Sequence, residues 1–210
     1  MGRLHIFDMD GTLMHGSSAS MELARELGLV AEFRELETAL AGGLLDPPGF
    51  AERAWGMYGL LTDAHLAAAF EGAPWLTGIR EVWADIASRG EHCAVISLSP
   101  DFFVRRLLAW GVHEVRASVF PEVPFAPDAL LDRSGILLPQ SKVTAADELC
   151  ARFGVSRREC VAYGDSMSDT ALFAAVPVSV AVNGDHHVSG LATHAYAGRD
   201  LREAYALVTG

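Results

Sequence analysis

The sequence predicts an α/β fold built on a parallel sheet, with an all-helical segment inserted after the first strand. Short apolar runs that end on polar residues alternate with helical periodicity from Thr77 to the end of the chain. Such alternation is typical of parallel strands joined by right-handed crossovers. Between Leu13 and Pro74 no convincing strand is found. Half of the 210 residues are apolar, which is enough for a substantial buried core.

The first strand is predicted at residues 4–7, an apolar run that ends at Asp8 and has the pattern of a strand buried on both faces. Helical spacing of apolar residues then predicts four helices. Ser20 is expected to cap the first of them and Thr62 the fourth, while Gly28 and Gly42 are expected to end the first two.

The rest of the chain alternates between helices and strands. Thr77 and Ser141 are expected to cap two helices, and Ser99 with Pro100 to begin another that ends at Gly111. Strands are predicted at residues 93–97, 115–119, 160–165 and 177–182, and a closing helix at residues 201–208. The proline-rich stretch 121–139 carries no clear prediction.

The composition narrows the classes of partner. A net charge of −11 argues against a nucleic-acid surface and against an anionic membrane, because both require excess Lys and Arg. The three cysteines form no CxxC pair, and their odd number favours a reducing compartment. No secretion signal and no apolar run of membrane length is found, so we expect a soluble, cytoplasmic protein. The oligomeric state is not predicted.

Polar residues close the predicted strands. Asp8 with Asp10, Ser97 and Asp165 follow three of the apolar runs, and Lys142 begins the helix before the last of these. Ligands of parallel sheets gather at the carboxyl ends of strands. Two neighbouring carboxylates, a hydroxyl, an ammonium and a further carboxylate are the groups that phosphoryl transfer through an aspartyl-phosphate requires.

Each of these residues also has an ordinary structural interpretation. Asp165 suits a turn, Asp169 a helix start, Lys142 a solvated position in a first helical turn and Ser97 a strand end with a satisfied hydroxyl, and for Asp169, Lys142 and Ser97 taken singly this interpretation is favoured. For Lys142 it is incomplete, because a cation in the first turn of a helix is electrostatically disfavoured and needs another reason to be there.

Four motifs in order resemble the haloacid dehalogenase superfamily, in its phosphoserine-phosphatase-like branch. They are DMDGT from Asp8, VIS ending at Ser97, QSKV around Lys142, and GDSMSD at residues 164–169. The resemblance implies a Rossmann-like three-layer core with a parallel sheet, formed by residues 1–13 and 75–210. It also implies a small all-helical cap domain at residues 14–74.

The resemblance further implies a role for each motif residue. Asp8 would be the nucleophile and a Mg²⁺ ligand, and Asp10 the general acid and base, with its carbonyl on the metal. Asp165 would complete the protein ligands of Mg²⁺, and Asp169 would support the metal's water shell or orient Lys142. Phosphate oxygens would be held by Ser97, the amide of Leu98 and Lys142. An all-oxygen ligand set suits Mg²⁺.

The substrate is expected to be a small-molecule phosphomonoester, selected by the cap. Candidate contacts are His15, Ser17, Arg53, Trp55 and Tyr58. Phosphoserine phosphatases carry a glutamate where this chain has Ser17, two glycines where it has Leu98 and Ser99, and usually an asparagine where it has Ser168. A phosphorylated amino alcohol, sugar or cyclitol is therefore favoured over phosphoserine.

Two alternatives to a phosphatase stay open. The same aspartyl-phosphate would also serve a phosphotransferase or phosphomutase. A catalytically silent binding protein on this fold is the other alternative, although it would not need to retain Asp8, Asp10, Lys142 and Asp165 together.

Overall fold

The computed structural model describes residues 2–209, so Met1 and Gly210, the ends of the predicted core, lie outside the described residues. Six strands form one parallel sheet in the order β3-β2-β1-β4-β5-β6. They are β1 (Leu4–Phe7), β2 (His92–Pro100), β3 (Glu114–Ser118), β4 (Cys160–Gly164), β5 (Val178–Val182) and β6 (His194–Tyr196). The predicted α/β fold with a parallel sheet is confirmed.

Helices cover both faces of the sheet. They are α5 (Ile79–Ser88), α6 (Asp101–Val104), α7 (Ser141–Phe153), α8 (Thr170–Ala175) and α9 (Leu201–Thr209). Leu4 and Ile6 of β1 belong to an apolar cluster with α7 and α8, whereas Phe7 packs against Trp83 of α5 on the opposite face. Successive side chains of a strand point to opposite faces, so β1 is buried on both sides of a three-layer core.

Four helices lie between β1 and α5, as predicted. They are α1 (Ala19–Leu27), α2 (Val30–Ala41), α3 (Pro47–Met57) and α4 (Asp63–Gly72). Within residues 14–74 the regular structure is helical, with α1 packed against both α2 and α4. Phe33 and Tyr58 stack in the centre of this group, with ring centroids 5.3 Å apart. No helix within residues 2–209 is long and apolar enough to cross a membrane.

Three of the predicted helix caps are wrong, although Thr62 does cap α4. Ser18 caps α1 in place of Ser20, since its hydroxyl accepts a hydrogen bond from the Met21 amide. Thr77 donates instead to the carbonyl of Arg199, across from the start of α9. Ser141 is already the first residue of α7 rather than its cap.

The predicted end of β2 and the helix predicted after it also require correction, and one short strand was not predicted. β2 continues through Pro100, which pairs with Ser118 of β3 after an irregularity in register, so Ser99 lies in a strand rather than at a helix start. The predicted helix up to Gly111 is reduced to the four residues of α6 and a 3₁₀ segment, Arg105–Trp110. The three-residue edge strand β6 was not predicted, because so short a segment shows no clear alternation.

Candidate active site

Asp8 follows β1 directly and lies at the carboxyl edge of the sheet. Its backbone amide donates to the carbonyl of Tyr163 (2.8 Å), which continues the pairing of β1 with β4 beyond Phe7. Its side chain is only 6 % exposed. Burial raises the pKa of Asp8 well above its usual range, and the neighbouring Lys142 opposes this shift.

Lys142 lies between two carboxylates. Its Nζ is 2.8 Å from Oδ1 of Asp8 and 2.7 Å from Oδ1 of Asp169, and it donates to the hydroxyl of Ser168 at 3.3 Å. The side chain is 1 % exposed. Burial alone would lower the pKa of Lys142, but Asp169 and Asp8 outweigh it and raise the pKa above its usual value. Lys142 is therefore a charged amine despite its position in the first turn of α7.

Asp165 and Asp169 lie on the loop after β4. Oδ2 of Asp169 accepts from the amides of Asp165 (3.0 Å) and Ser166 (3.3 Å), so both of its carboxylate oxygens have donors. Oδ1 of Asp165 accepts from the hydroxyl of Thr12 (3.2 Å). Burial, reinforced by the charge of Asp169, raises the pKa of Asp165 to about 7.

Gly11 allows the first loop to approach Asp165. Its φ is +77°, and a Cβ at this position would lie 2.1 Å from a carboxylate oxygen of Asp165. A larger residue would both strain the backbone and push Asp165 away. The DMDG turn is thus shaped to bring the loops after β1 and β4 together.

Three carboxylates form an acidic cluster at this edge. Asp8, Asp165 and Asp169 each offer an oxygen within 4.8 Å of the others, and Lys142 supplies one positive charge against the three. The donors are all oxygen, which hard divalent cations prefer. Burial is the main cause of the raised pKa of Asp165, and the negative charge of Asp169 adds to it. The chemistry of this donor set fits a divalent metal ion.

Asp10 has a different environment. Oδ1 accepts from the amide of Ala19 (2.7 Å), and Oδ2 accepts from the hydroxyls of Ser99 (2.7 Å) and Ser97 (3.1 Å). Burial raises the pKa of Asp10, while the hydrogen bond from Ser99 opposes it most strongly. Asp10 is therefore held by neutral donors, whereas Asp8 is held by a cation.

A cavity of about 190 Å³ lies beside Asp8 and Asp10. Leu98 and Ser99 line it from the sheet edge, and Ser166 and Ser168 from the loop after β4. The rest of the wall is mostly apolar. Phe120 and Ile136 come from the chain after β3, and the helical segment contributes Leu40, Pro47, Phe50, Ala51, Ala54 and Tyr58. The arrangement can hold a small ligand with one end at the acidic cluster.

The five predicted substrate contacts are placed differently from one another. Tyr58 lines the cavity. The other four do not line it. The backbone amide of His15 donates to the carbonyl of Pro74, and the hydroxyl of Ser17 donates to Glu22. Arg53 lies at a separate exposed depression, and Trp55 packs on Phe120 and Phe125.

Polar residues that were not predicted as site residues also line the cavity, among them Ser18, Ser20, Glu37, Ser99 and Ser166. Ser99 was read as a helix start, and only the extension of β2 brings its hydroxyl to Asp10. The sequence pattern does not single out Glu37, which lines the cavity. A carboxylate beside the apolar positions Phe33, Leu36 and Leu40 was the one available signal for Glu37.

Comparison with known proteins supports the motif assignment. Residues 6–174 match the family model of the haloacid dehalogenase-like hydrolases. No curated protein matches the sequence.

Solved structures share the fold at low sequence identity. A substrate-bound phosphoserine phosphatase complex has a TM-score of 0.79 at 22 % identity, with 99 % of each chain covered. A phospho-aspartyl intermediate analogue of phosphoserine phosphatase has a TM-score of 0.78, also at 22 % identity with 99 % of each chain covered. A hydrolase of the same family from Salmonella enterica serovar Typhi has a TM-score of 0.82 at 24 % identity, over 96 % of this chain and 70 % of that one. The chain belongs to the haloacid dehalogenase-like hydrolase family.

Proposed function

We propose that the protein is a Mg²⁺-dependent phosphatase that hydrolyses a small-molecule phosphomonoester through an aspartyl-phosphate on Asp8. One observation carries the proposal: Asp8, buried and paired with Lys142, faces the same cavity as Asp10. A nucleophile and a separate proton carrier are thereby available to one substrate. That a structurally similar phosphoserine phosphatase has a phospho-aspartyl analogue is consistent with this chemistry.

The first half-reaction forms the intermediate. A carboxylate oxygen of Asp8 attacks phosphorus, and the bond from phosphorus to the ester oxygen breaks. Asp10 gives its proton to the departing oxygen, so the alcohol leaves neutral. Burial, which raises the pKa of Asp10, favours the protonated form that this step requires.

The second half-reaction releases phosphate. Asp10, now ionised, takes a proton from a water molecule that attacks phosphorus, and the bond to Asp8 breaks. Ser99 donates to Asp10 and stabilises its ionised form between the two steps. Each residue thus ends the cycle in the state in which it began.

Phosphate and metal would be held by the remaining residues. Ser97, the amide of Leu98 and Lys142 would bind phosphate oxygens. Asp8, Asp165 and the carbonyl of Asp10 would hold Mg²⁺, which supplies charge neutralisation for phosphate and nucleophile. Both oxygens of Asp169 already accept hydrogen bonds. We therefore propose that Asp169 orients Lys142 and supports the water shell of the metal.

We assign residues 14–74 as a cap and residues 1–13 and 75–210 as the core. The apolar wall of the cavity comes largely from the helices of the segment 14–74, while the carboxylates come from the sheet edge. A cap of this kind excludes water from the reacting phosphate and contacts the leaving alcohol.

Phosphate release from a panel of phosphomonoesters tests the proposal. We expect turnover with Mg²⁺, its loss with EDTA, and a fall of at least about 10³-fold in Asp8→Asn, which removes the nucleophile. Phosphoserine should be among the poorer substrates. Transfer to an added alcohol in excess of hydrolysis would instead identify a phosphotransferase. The absence of turnover over the whole panel would favour a binding protein.

A further inference from the structure

Glu37 presents a carboxylate to the cavity from α2, opposite the sheet edge. The hydroxyl of Ser18 donates to its Oε1, and Ser18 is also the residue that caps α1. The next residue, Ala19, donates its amide to Asp10. Glu37 and Asp10 therefore both accept hydrogen bonds from the two-residue segment 18–19. A ligand that reaches Asp10 consequently also lies near Glu37.

The charged residues that line the cavity are all acidic. They are Asp8, Asp10 and Glu37, and no lysine or arginine of residues 2–209 lines it. Asp8 has Lys142 as its counter-charge, and Asp10 has three neutral donors. Among the described residues no basic side chain forms an ion pair with Glu37. Arg25 pairs instead with Glu22, and Arg34 is exposed.

A carboxylate in this position is incompletely solvated. Burial raises the pKa of Glu37, and the hydrogen bond from Ser18, together with the charges of Arg25 and Arg34, offsets only part of that shift. Partly buried charges are normally paired, because their lost hydration is otherwise uncompensated. The cavity is the side from which a cation of a ligand could pair with Glu37.

Resting on the proposed phosphatase function, we propose that Glu37 binds a cationic nitrogen of the leaving group, and that the substrate is the phosphomonoester of an amino alcohol without a carboxylate. The phosphate end meets Lys142 and the acidic cluster, and the ammonium end meets Glu37. The apolar wall, which includes Leu40, Phe50 and Tyr58, contacts the carbon skeleton between them.

The same charges exclude other leaving groups. A carboxylate on the alcohol would meet Asp10 and Glu37 without any basic side chain in the lining to bind it. Like charges at close range in a partly buried site repel each other strongly. A cavity of about 190 Å³ also favours a short skeleton over a disaccharide or a nucleotide.

Isosteric substrates give the test. We compare kcat/KM for 2-aminoethyl phosphate and for 2-hydroxyethyl phosphate, which differ in one charged group. The wild type should prefer the amine, and Glu37→Gln should reduce the ratio of the two values by about 10- to 100-fold, the effect of one charged hydrogen bond. Glu35→Gln, an exposed residue of the same helix outside the cavity, should leave the ratio as in the wild type.

Other outcomes would overturn the inference. A ratio that is equal in the wild type and in Glu37→Gln would do so, as would more efficient turnover of phosphoserine than of 2-aminoethyl phosphate. Calorimetric binding of the same two esters to the Asp8→Asn protein with Mg²⁺ repeats the test without turnover. If neither ester is hydrolysed but binding prefers the amine in a Glu37-dependent way, the phosphatase assignment fails and the ammonium site stands.

Discussion

Lys142 remains charged at a position where burial works against the charge. Two carboxylates, of Asp8 and Asp169, lie within 2.8 Å of its ammonium group and compensate for the lost hydration. A buried ion pair adds little stability over an apolar replacement of the whole group, but removing one partner leaves the others uncompensated. Lys142 therefore keeps two buried carboxylates compensated, in addition to the role at the phosphate that we propose for it.

Lys142→Met should destabilise the protein. Two buried carboxylates would lose their counter-charge, which typically costs about 3–5 kcal/mol of the free energy of unfolding. Urea denaturation near neutral pH measures the loss. Arg152→Met is the matched control on α7, because Arg152 is 59 % exposed and its ion pair with Glu114 should contribute at most about 1 kcal/mol. Equal losses in the two variants would contradict this account of Lys142.

The residues at the strand ends could be predicted because parallel strands finish at a common edge. Asp8, Lys142, Asp165 and Asp169 are brought together there, as the motif order indicated. Glu37 could not be assigned to the cavity from the sequence, since its position depends on how α2 packs over the sheet. Three of the other predicted contacts failed to reach the cavity for the same reason: His15, Arg53 and Trp55 depend on packing within the helical segment.

At the scale of elements, β1 carries a buried histidine in the centre of the sheet. His5 is fully buried, with Nδ1 3.0 Å from the Tyr163 hydroxyl and Nε2 3.1 Å from a carboxylate oxygen of Glu91. Burial lowers the pKa of His5, and Glu91 opposes this shift only in part. The folded state therefore favours the neutral imidazole more than the unfolded state does.

This difference predicts an acid-dependent loss of stability. The unfolded histidine has a pKa of about 6.5, so below that pH the unfolded chain binds a proton that folded His5 resists. The contribution of His5 to the free energy of unfolding should fall as the pH drops from about 6.5 towards the lower pKa of folded His5, by up to about 1.4 kcal/mol per pH unit. The raised pKa values of Asp8, Asp10 and Asp165 act in the opposite direction. The contribution of His5 is therefore measured as the difference between wild type and His5→Gln in urea denaturation at a series of pH values, and the wild type should lose stability relative to the variant as the pH drops.

His186→Gln serves as the control for this measurement. His186 is exposed on the loop after β5, so its replacement should leave the pH dependence as in the wild type. A wild-type curve that coincides with that of His5→Gln over the same range would exclude His5 as the source.

The elements themselves were predictable where periodicity was strong, and their ends were not. The helices of residues 14–74 and the five longer strands follow from the spacing of apolar residues. The cap of α1 was predicted at Ser20 and is Ser18, because Ser18 has the extended backbone from which its side chain can accept the Met21 amide. β2 continues past Ser97 because pairing with β3 stabilises an extended Pro100, a long-range contact that local preference does not contain.

For the molecule as a whole, an excess of negative charge is concentrated where the cation would bind. The chain has a net charge of −11, and three of its carboxylates converge on one lysine. A cation that binds the folded cluster and not the unfolded chain must stabilise the folded state by mass action. The metal of the proposed function should therefore make stability depend on its concentration.

Mg²⁺ should raise the melting temperature. At a free concentration of about 100 times Kd the gain is about 2.7 kcal/mol, which corresponds to roughly 5–10 °C for a chain of this size. Differential scanning calorimetry with Mg²⁺, against NaCl of equal ionic strength, measures the shift. Asp165→Asn should lose most of the rise, and an equal rise in wild type and variant would contradict a metal site at Asp165.

The buried ammonium of Lys142 has a consequence for the chemistry of the protein surface. Lys142 is the single lysine in the sequence; the other basic side chains, apart from histidines, are arginines. Since that one amine is 1 % exposed, the folded protein offers no accessible side-chain amine to acylating or cross-linking reagents. The one side-chain amine of the protein is enclosed between Asp8 and Asp169, so its reactivity reports whether the fold around these carboxylates is closed.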